Sequence, residues 1–191
     1  MDIGVPKETF NGENRIALSP LAVRALSSAG HTVYLQAGAG TVSFYDDSSY
    51  AAEGATIVYN AEEVYGRGTL IAKVERPDHA ELDMLQEGQM LMSFLQPAAM
   101  EPKRFKELID KRITTIGYEI IQKDNGELPI VRSLSEIAGQ LSACLAQRFL
   151  GADSGGRGIL LGGAPGVPPA EVVIIGAGNM GRSAARHAVA L

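Results

Sequence analysis

Two groups of residues in this 191-residue chain are suited to chemistry: a phosphate-cradling turn near its end, and a few cations and carboxylates before it. Val172-Val173-Ile174-Ile175 reads as a short buried strand, Gly176-Ala177-Gly178-Asn179-Met180-Gly181 as a GxGxxG turn, and Arg182 to Leu191 as a helix. Strand before and helix after turn a weak pattern into a dinucleotide-binding fingerprint. Gly176 permits the tight turn, Gly178 lets backbone approach a pyrophosphate, and Gly181 lets the helix pack on its strand. The helix aims its leading N–H groups and positive dipole end at the phosphates. The acid that reads the ribose hydroxyls belongs about 20 residues further on, a position outside residues 1–191.

Arg15 lies in a polar loop. Its planar fork suits bidentate carboxylate binding, although most loop arginines are simply solvated. Lys73 ends the apolar run Leu70-Ile71-Ala72, where a strand's carboxyl end opens onto a crevice; the bland alternative is a lysine guarding a strand end. Glu119 reads as a strand-end carboxylate and Ser135 as a helix N-cap. His31, His79 and His187 fall in a pre-strand turn, a surface loop and the last helix, and read as structural or solvated. No cluster has metal-ligand spacing.

The elements that must position these groups alternate between short apolar strands and amphipathic helices, the pattern of a parallel α/β sheet. Strands are expected at Asp2 to Val5, Thr32 to Leu35, Thr56 to Val58, Thr69 to Lys73, Met90 to Phe94 and Ile113 to Tyr118. Ser19-Pro20 supplies an N-cap and a first-turn proline for a helix closed by Gly30. Further helices are expected at Ala61 to Tyr65, Ala80 to Gln86 and Pro102 to Lys111, with a turn at Asn125-Gly126. A long helix follows from Ser135 to Leu150, with an apolar stripe of Ile137, Leu141, Leu145 and Phe149. Gly151 to Pro169 holds seven of the 22 glycines and three of the nine prolines, yet Gly158 to Gly163 reads as a hairpin or edge strand. The domain change is placed at 133/134, giving a Rossmann-like sheet domain followed by the start of a second, dinucleotide-binding Rossmann domain.

A net charge of −5 argues against a nonspecific nucleic-acid surface, which needs a basic face. The single Cys144 excludes an internal disulfide framework, fits a reducing compartment, and reads as a small core or near-core thiol. No apolar stretch reaches the length of a membrane span and no secretory signal opens the chain, so the protein reads as cytoplasmic. Leu191 falls inside the last helix, which suggests that more chain is needed to complete the second sheet.

Ile3-Gly4-Val5-Pro6-Lys7-Glu8, Asn14-Arg15-Ile16-Ala17-Leu18-Ser19-Pro20 and Gln36-Ala37-Gly38-Ala39-Gly40 together resemble the alanine dehydrogenase family. The likeness continues through Ala72-Lys73-Val74, Gly117-Tyr118-Glu119, Ser135-Glu136-Ile137-Ala138-Gly139 and Gly162-Gly163-Ala164-Pro165-Gly166-Val167. The resemblance implies an amino-terminal half of an enzyme that moves hydride from the α-carbon of L-alanine to NAD, releasing pyruvate and ammonium. It implies substrate contacts from Arg15 and Lys73, and places Glu119 and Ser135 beside the nicotinamide and its ribose.

Gln96, in Ser93-Phe94-Leu95-Gln96-Pro97, takes the catalytic position where many family members carry a proton-handling histidine. Glutamine can hydrogen-bond a carbonyl or water but cannot serve as a general acid or base near neutral pH. The resemblance also implies a homo-oligomer with a small-molecule substrate and neither nucleic acid nor membrane as partner. The rival is a transhydrogenase nucleotide-binding subunit: Ser133-Leu134-Ser135-Glu136 favours the dehydrogenase, while Arg132 and Gln140 keep the rival open. A third reading is a binding module without catalysis. The 191-residue chain alone is expected to be inactive.

Overall fold

β-Branched and other apolar residues in short runs want a pleated, buried surface, and six of the runs pair in parallel in the computed structural model, which describes residues 1–191. The strands are β1 (Asp2–Val5), β2 (Thr32–Gln36), β3 (Ala55–Val58), β4 (Leu70–Glu75), β5 (Met90–Phe94) and β6 (Thr114–Gly117). Their order in the sheet is β3-β2-β1-β4-β5-β6. This is the order of doubly wound dinucleotide folds, and it reverses between β1 and β4, where a crevice opens at the strands' carboxyl ends.

The chain divides into two compact units, Met1–Ile120 and Ile121–Leu191, and the sheet lies in the first. Helices α1 (Pro20–Ser28), α2 (Asp47–Ala52), α3 (Ala61–Arg67), α4 (His79–Met84) and α5 (Pro102–Asp110) connect its strands. Ile71 and Ala72 are neighbours on β4 and so point to opposite faces. Ala72 packs in a core with Val23 of α1 and Tyr50 of α2. Ile71 packs in the other, with Tyr65 of α3, Leu82 of α4 and Leu108 of α5. Both faces are therefore covered, as a parallel sheet requires.

Ser19 caps α1 as its sequence promises, its hydroxyl accepting the Ala22 N–H at 3.3 Å. Helix α2 was not expected from the polar run Asp46-Asp47-Ser48-Ser49, but Asp46 is a true N-cap and accepts the Ser49 N–H. His79 belongs to the first turn of α4 rather than to a loop, because Asp78 and Glu81 form a reciprocal capping box around it.

The second unit holds α6 (Pro129–Leu150) and α7 (Asn179–Ala190). Ser135 is not the N-cap of α6. The helix starts six residues earlier, at Pro129, whose ring pre-sets the first helical dihedral. Gly139 is where α7 crosses: a Cβ there would lie 2.4 Å from the Met180 carbonyl oxygen. The Ser183 hydroxyl donates to the Glu136 carbonyl beside it at 2.7 Å.

Three further expectations fail in this unit. Val172 to Ile175 form no paired strand, and Ile175 is 98% exposed, because no other strand in the unit is available to pair with them. Gly158 to Gly163 form no hairpin; Leu161 instead bonds through its N–H to the Gln147 side chain, and a single bridge joins Ala164 to Val167. Cys144, expected in or near a core, is exposed, as is the stripe Ile137, Leu141, Leu145 and Phe149, since nothing in the unit packs on that face.

Candidate functional site

The ladder between β1 and β4 ends at Gly4 and Ile71, so beyond it the β4 backbone lacks a partner on the β1 side. The chain leaving β1 supplies one. The Glu8 carboxylate accepts the Val74 N–H at 2.6 Å and the Glu75 N–H at 3.3 Å, bridging the crevice where the strand order reverses. Lys73 therefore does not end its strand: β4 runs on to Glu75, and the Lys73 side chain is 1% exposed. A buried ammonium is tolerable only when paired. Its Nζ lies 2.5 Å from Glu81 and 3.3 Å from Glu8, whose side chains are 3% and 5% exposed. The reading of Lys73 as a surface lysine guarding a strand end is thereby excluded.

Arg15 stands in the loop after β1, its side chain 49% exposed. Glu13 holds one edge of its guanidinium, from Nε at 2.8 Å and Nη2 at 2.5 Å, and Glu75 lies 3.9 Å away. The hydrogen bond from Arg15 holds the Glu13 carboxyl below the usual carboxylate range. Burial pushes the Glu8 carboxyl up, against opposing pulls from the Lys73 charge and the two backbone N–H groups. Tyr118, just past β6, is pushed up to about 12, by burial first and then by the charge of Glu8.

Gln96 follows β5 in the left-handed region, φ 45° and ψ 62°, an uncommon conformation for a residue other than glycine. Its backbone N–H donates to Glu119 Oε1 at 2.7 Å, while Glu119 Oε2 is buried without a partner. The strand-end carboxylate expected at Glu119 thus serves as a clamp on the β5 exit. The first unit brings Arg15 and Lys73 into one charged cluster and pairs Gln96 with Glu119. Sequence reasoning missed Glu8, Glu13, Glu75 and Glu81. Only Glu81 left a local signal, as the last residue of the capping box Asp78-His79-Ala80-Glu81.

In the second unit, Ser135 lies in the second turn of α6, partly buried. The GxGxxG turn has the backbone its pattern requires. Gly176 has φ +109°, and nothing lies within 4 Å of a Cβ built on Gly176 or Gly178. A Cβ on Gly181 would come 2.0 Å from the Gly176 carbonyl oxygen, so the turn closes only with glycine there. Gly178 caps α7 without a side-chain bond, leaving leading N–H groups of a 12-residue helix to meet an anion. Gly176 to Gly181 therefore fit a dinucleotide pyrophosphate. The residues of this unit that would read the ribose are not identified by this geometry.

The family model "Alanine dehydrogenase/PNT, N-terminal domain" matches residues 4–138, and its C-terminal counterpart matches residues 142–191. An alanine dehydrogenase of Methanococcus maripaludis is 47% identical over 191 residues, covering 100% of this chain and 51% of that protein. One from Mycobacterium tuberculosis is 44% identical over 188 residues, covering 98% and 50%. A solved L-alanine dehydrogenase superposes with a TM-score of 0.95 at 43% identity, covering 100% of this chain and 52% of that one. A transhydrogenase from Sinorhizobium meliloti superposes at 0.82 with 24% identity, a likeness of fold alone. The chain spans about half the length of the relatives it matches. With both family models matched in order along residues 4–191, the chain belongs to the alanine dehydrogenase/PNT family.

Proposed function

We propose that this chain supplies the substrate-binding elements, and the beginning of the NAD-binding elements, of an NAD-dependent L-alanine dehydrogenase. In this reading residues 1–133 serve the substrate and residues 134–191 begin the cofactor domain. The observation that carries it is the buried Lys73, held between Glu8 and Glu81 within the same charged cluster as Arg15, at the carboxyl-end crevice of the sheet. A small α-keto acid needs one cation for its carboxylate and another for its keto oxygen.

Arg15 meets the first need. Glu13 holds its Nε and Nη2 edge, so its remaining donors, including Nη1, face a substrate carboxylate in a fixed plane. Lys73 meets the second: its ammonium has three donors and two carboxylate neighbours, Glu8 and Glu81, so in this reading one donor serves to polarise a keto oxygen. Gln96 can orient a water or the carbonyl, but it holds no titratable proton. When bound, NAD accepts the hydride from the α-carbon. Gly176, Ala177, Gly178, Asn179, Met180 and Gly181 would hold its pyrophosphate, and the family resemblance assigns Glu119 and Ser135 to the nicotinamide and ribose. The exposed stripe Ile137, Leu141, Leu145 and Phe149 supports a homo-oligomer, because contiguous apolar surface marks interfaces. The lone Cys144 fits a reducing, cytoplasmic setting.

The test is calorimetric titration of the mass-verified 191-residue chain with NADH, beside an L-alanine-dependent assay of NADH formation. Weak or no NADH binding and no turnover are expected from residues 1–191 alone. Turnover with L-alanine is expected from a polypeptide that also carries the regions its relatives have in addition. If that longer polypeptide binds NADH but does not turn over alanine, the proposed function is wrong.

A further inference from the structure

A carboxylate substrate must enter a cluster that already holds more negative than positive charge. Four carboxylates, Glu8, Glu13, Glu75 and Glu81, surround the two cations Arg15 and Lys73, an excess of two negative charges before any ligand arrives. An anion docking on Arg15 and Lys73 raises that excess beside Glu8 and Glu81, whose side chains are buried, where repulsion is less screened than in water. The least costly relief is neutralisation of one carboxylate already inside.

The geometry singles out which one. Glu13 is fixed by a two-point bond to Arg15, which favours its ionised form. Glu81 lies 2.5 Å from the lysine ammonium and also accepts the Asp78 N–H. Glu75 keeps a side chain that is 17% exposed, in reach of solvent. Glu8 is 5% exposed and farther from Lys73, at 3.3 Å. It faces Lys73, Val74 and Glu75 on β4, and its charge reaches Arg15 in the loop, Tyr65 on α3 and Tyr118 past β6. From α4, Glu81 and Asp78 reach it through their shared neighbour Lys73. Burial already tilts Glu8 toward its neutral form.

We propose that Glu8 is the proton store of this site: docking of a small α-keto carboxylate on Arg15 and Lys73 draws one proton from solvent onto the Glu8 carboxyl, and departure of the unreacted ligand returns it. The proposal rests on the substrate class inferred above. Forming alanine from pyruvate, ammonium and reduced cofactor consumes one proton overall, and Gln96 has none to give. Glu8 places a proton beside the group that polarises the keto oxygen. It acts through Lys73 and the local charge, as a positioning residue.

The test is calorimetric titration of the chain with pyruvate in two buffers of different ionisation enthalpy, at several values between about pH 6 and 8. Buffer-dependent heats that report uptake of a large fraction of one proton are expected, and the dependence should vanish in Glu8→Gln. Should that variant fail to fold, carbon NMR of wild-type protein labelled at the glutamate carboxyls decides: the Glu8 resonance should move toward its protonated position as pyruvate saturates. Pyruvate binding with equal heats in both buffers, uptake that persists in a folded Glu8→Gln, or a Glu8 resonance that stays put overturns the proton store alone. Absence of pyruvate binding at any attainable concentration overturns the substrate class with it.

Discussion

Replacing Lys73 by Met keeps the aliphatic stem and removes the ammonium, stranding Glu8 and Glu81 with side chains 5% and 3% exposed. Removing one partner of a buried ion pair costs about 3–5 kcal/mol, since the remaining charge is left without compensation. Glu8 can relieve part of this by binding a proton. Its carboxyl already titrates above its ordinary value because of burial, and Lys73 is the largest influence opposing that rise, so Lys73→Met lifts it further. A raised value means that the native state binds more protons than the unfolded chain. The stability linked to Glu8 is therefore fully present below the unfolded value and lost as pH rises through the folded one.

One such proton corresponds to about 1.4 kcal/mol for each pH unit between the two values. The loss of stability in Lys73→Met should thus be near the upper end of about 3–5 kcal/mol around pH 8 and smaller around pH 5. The measurement is urea denaturation of both proteins across that range. All six tyrosines precede Ile121 and the chain has no tryptophan, so tyrosine emission reports the sheet unit alone. A loss below about 1 kcal/mol, or one that does not change with pH, would refute the buried charge cluster.

In a catalytically complete polypeptide, Arg15→Ala and Lys73→Ala should each lower kcat/KM for pyruvate by about 10–100-fold, the effect of losing a charge-assisted hydrogen bond. Rates within about twofold of wild type for both would remove them from the site. In the same assay Gln96→His should change little, since proton handling is assigned to Glu8 acting through Lys73; a large gain would reassign it. Gly139→Ala should destabilise the α6–α7 contact by about 1–3 kcal/mol, because its Cβ would meet the Met180 oxygen at 2.4 Å. Faster amide exchange throughout α7 would reveal this, and unchanged protection would show that the helices do not cross there.

Much of the first unit was legible because its signals are local. Six apolar runs bounded by glycine and polar turns became the six strands, and Ser19-Pro20 marked the start of α1, since capping and φ restriction depend on adjacent residues. The start of α6 was misplaced because Pro129 and Ser135 are both plausible openings, and a hydroxyl on a helix face looks like a cap until the preceding turns are seen. Val172 to Ile175 failed as a strand for a different reason: a strand is a relation between segments, and an apolar run can supply only one side of it.

The sequence alone determined the alternation of elements, the GxGxxG turn, and, through its resemblance to the family, the candidacy of Arg15 and Lys73. The first two follow from residue type and short spacing. Tertiary structure alone decided that Lys73 is buried rather than at a strand end, and that its counter-charges come from Glu8, 65 residues before it, and Glu81, eight residues after. Nothing in the local pattern links these three. The reversal of strand order between β1 and β4 carries the chain leaving β1 to the unpaired end of β4, and burial makes their pairing obligatory.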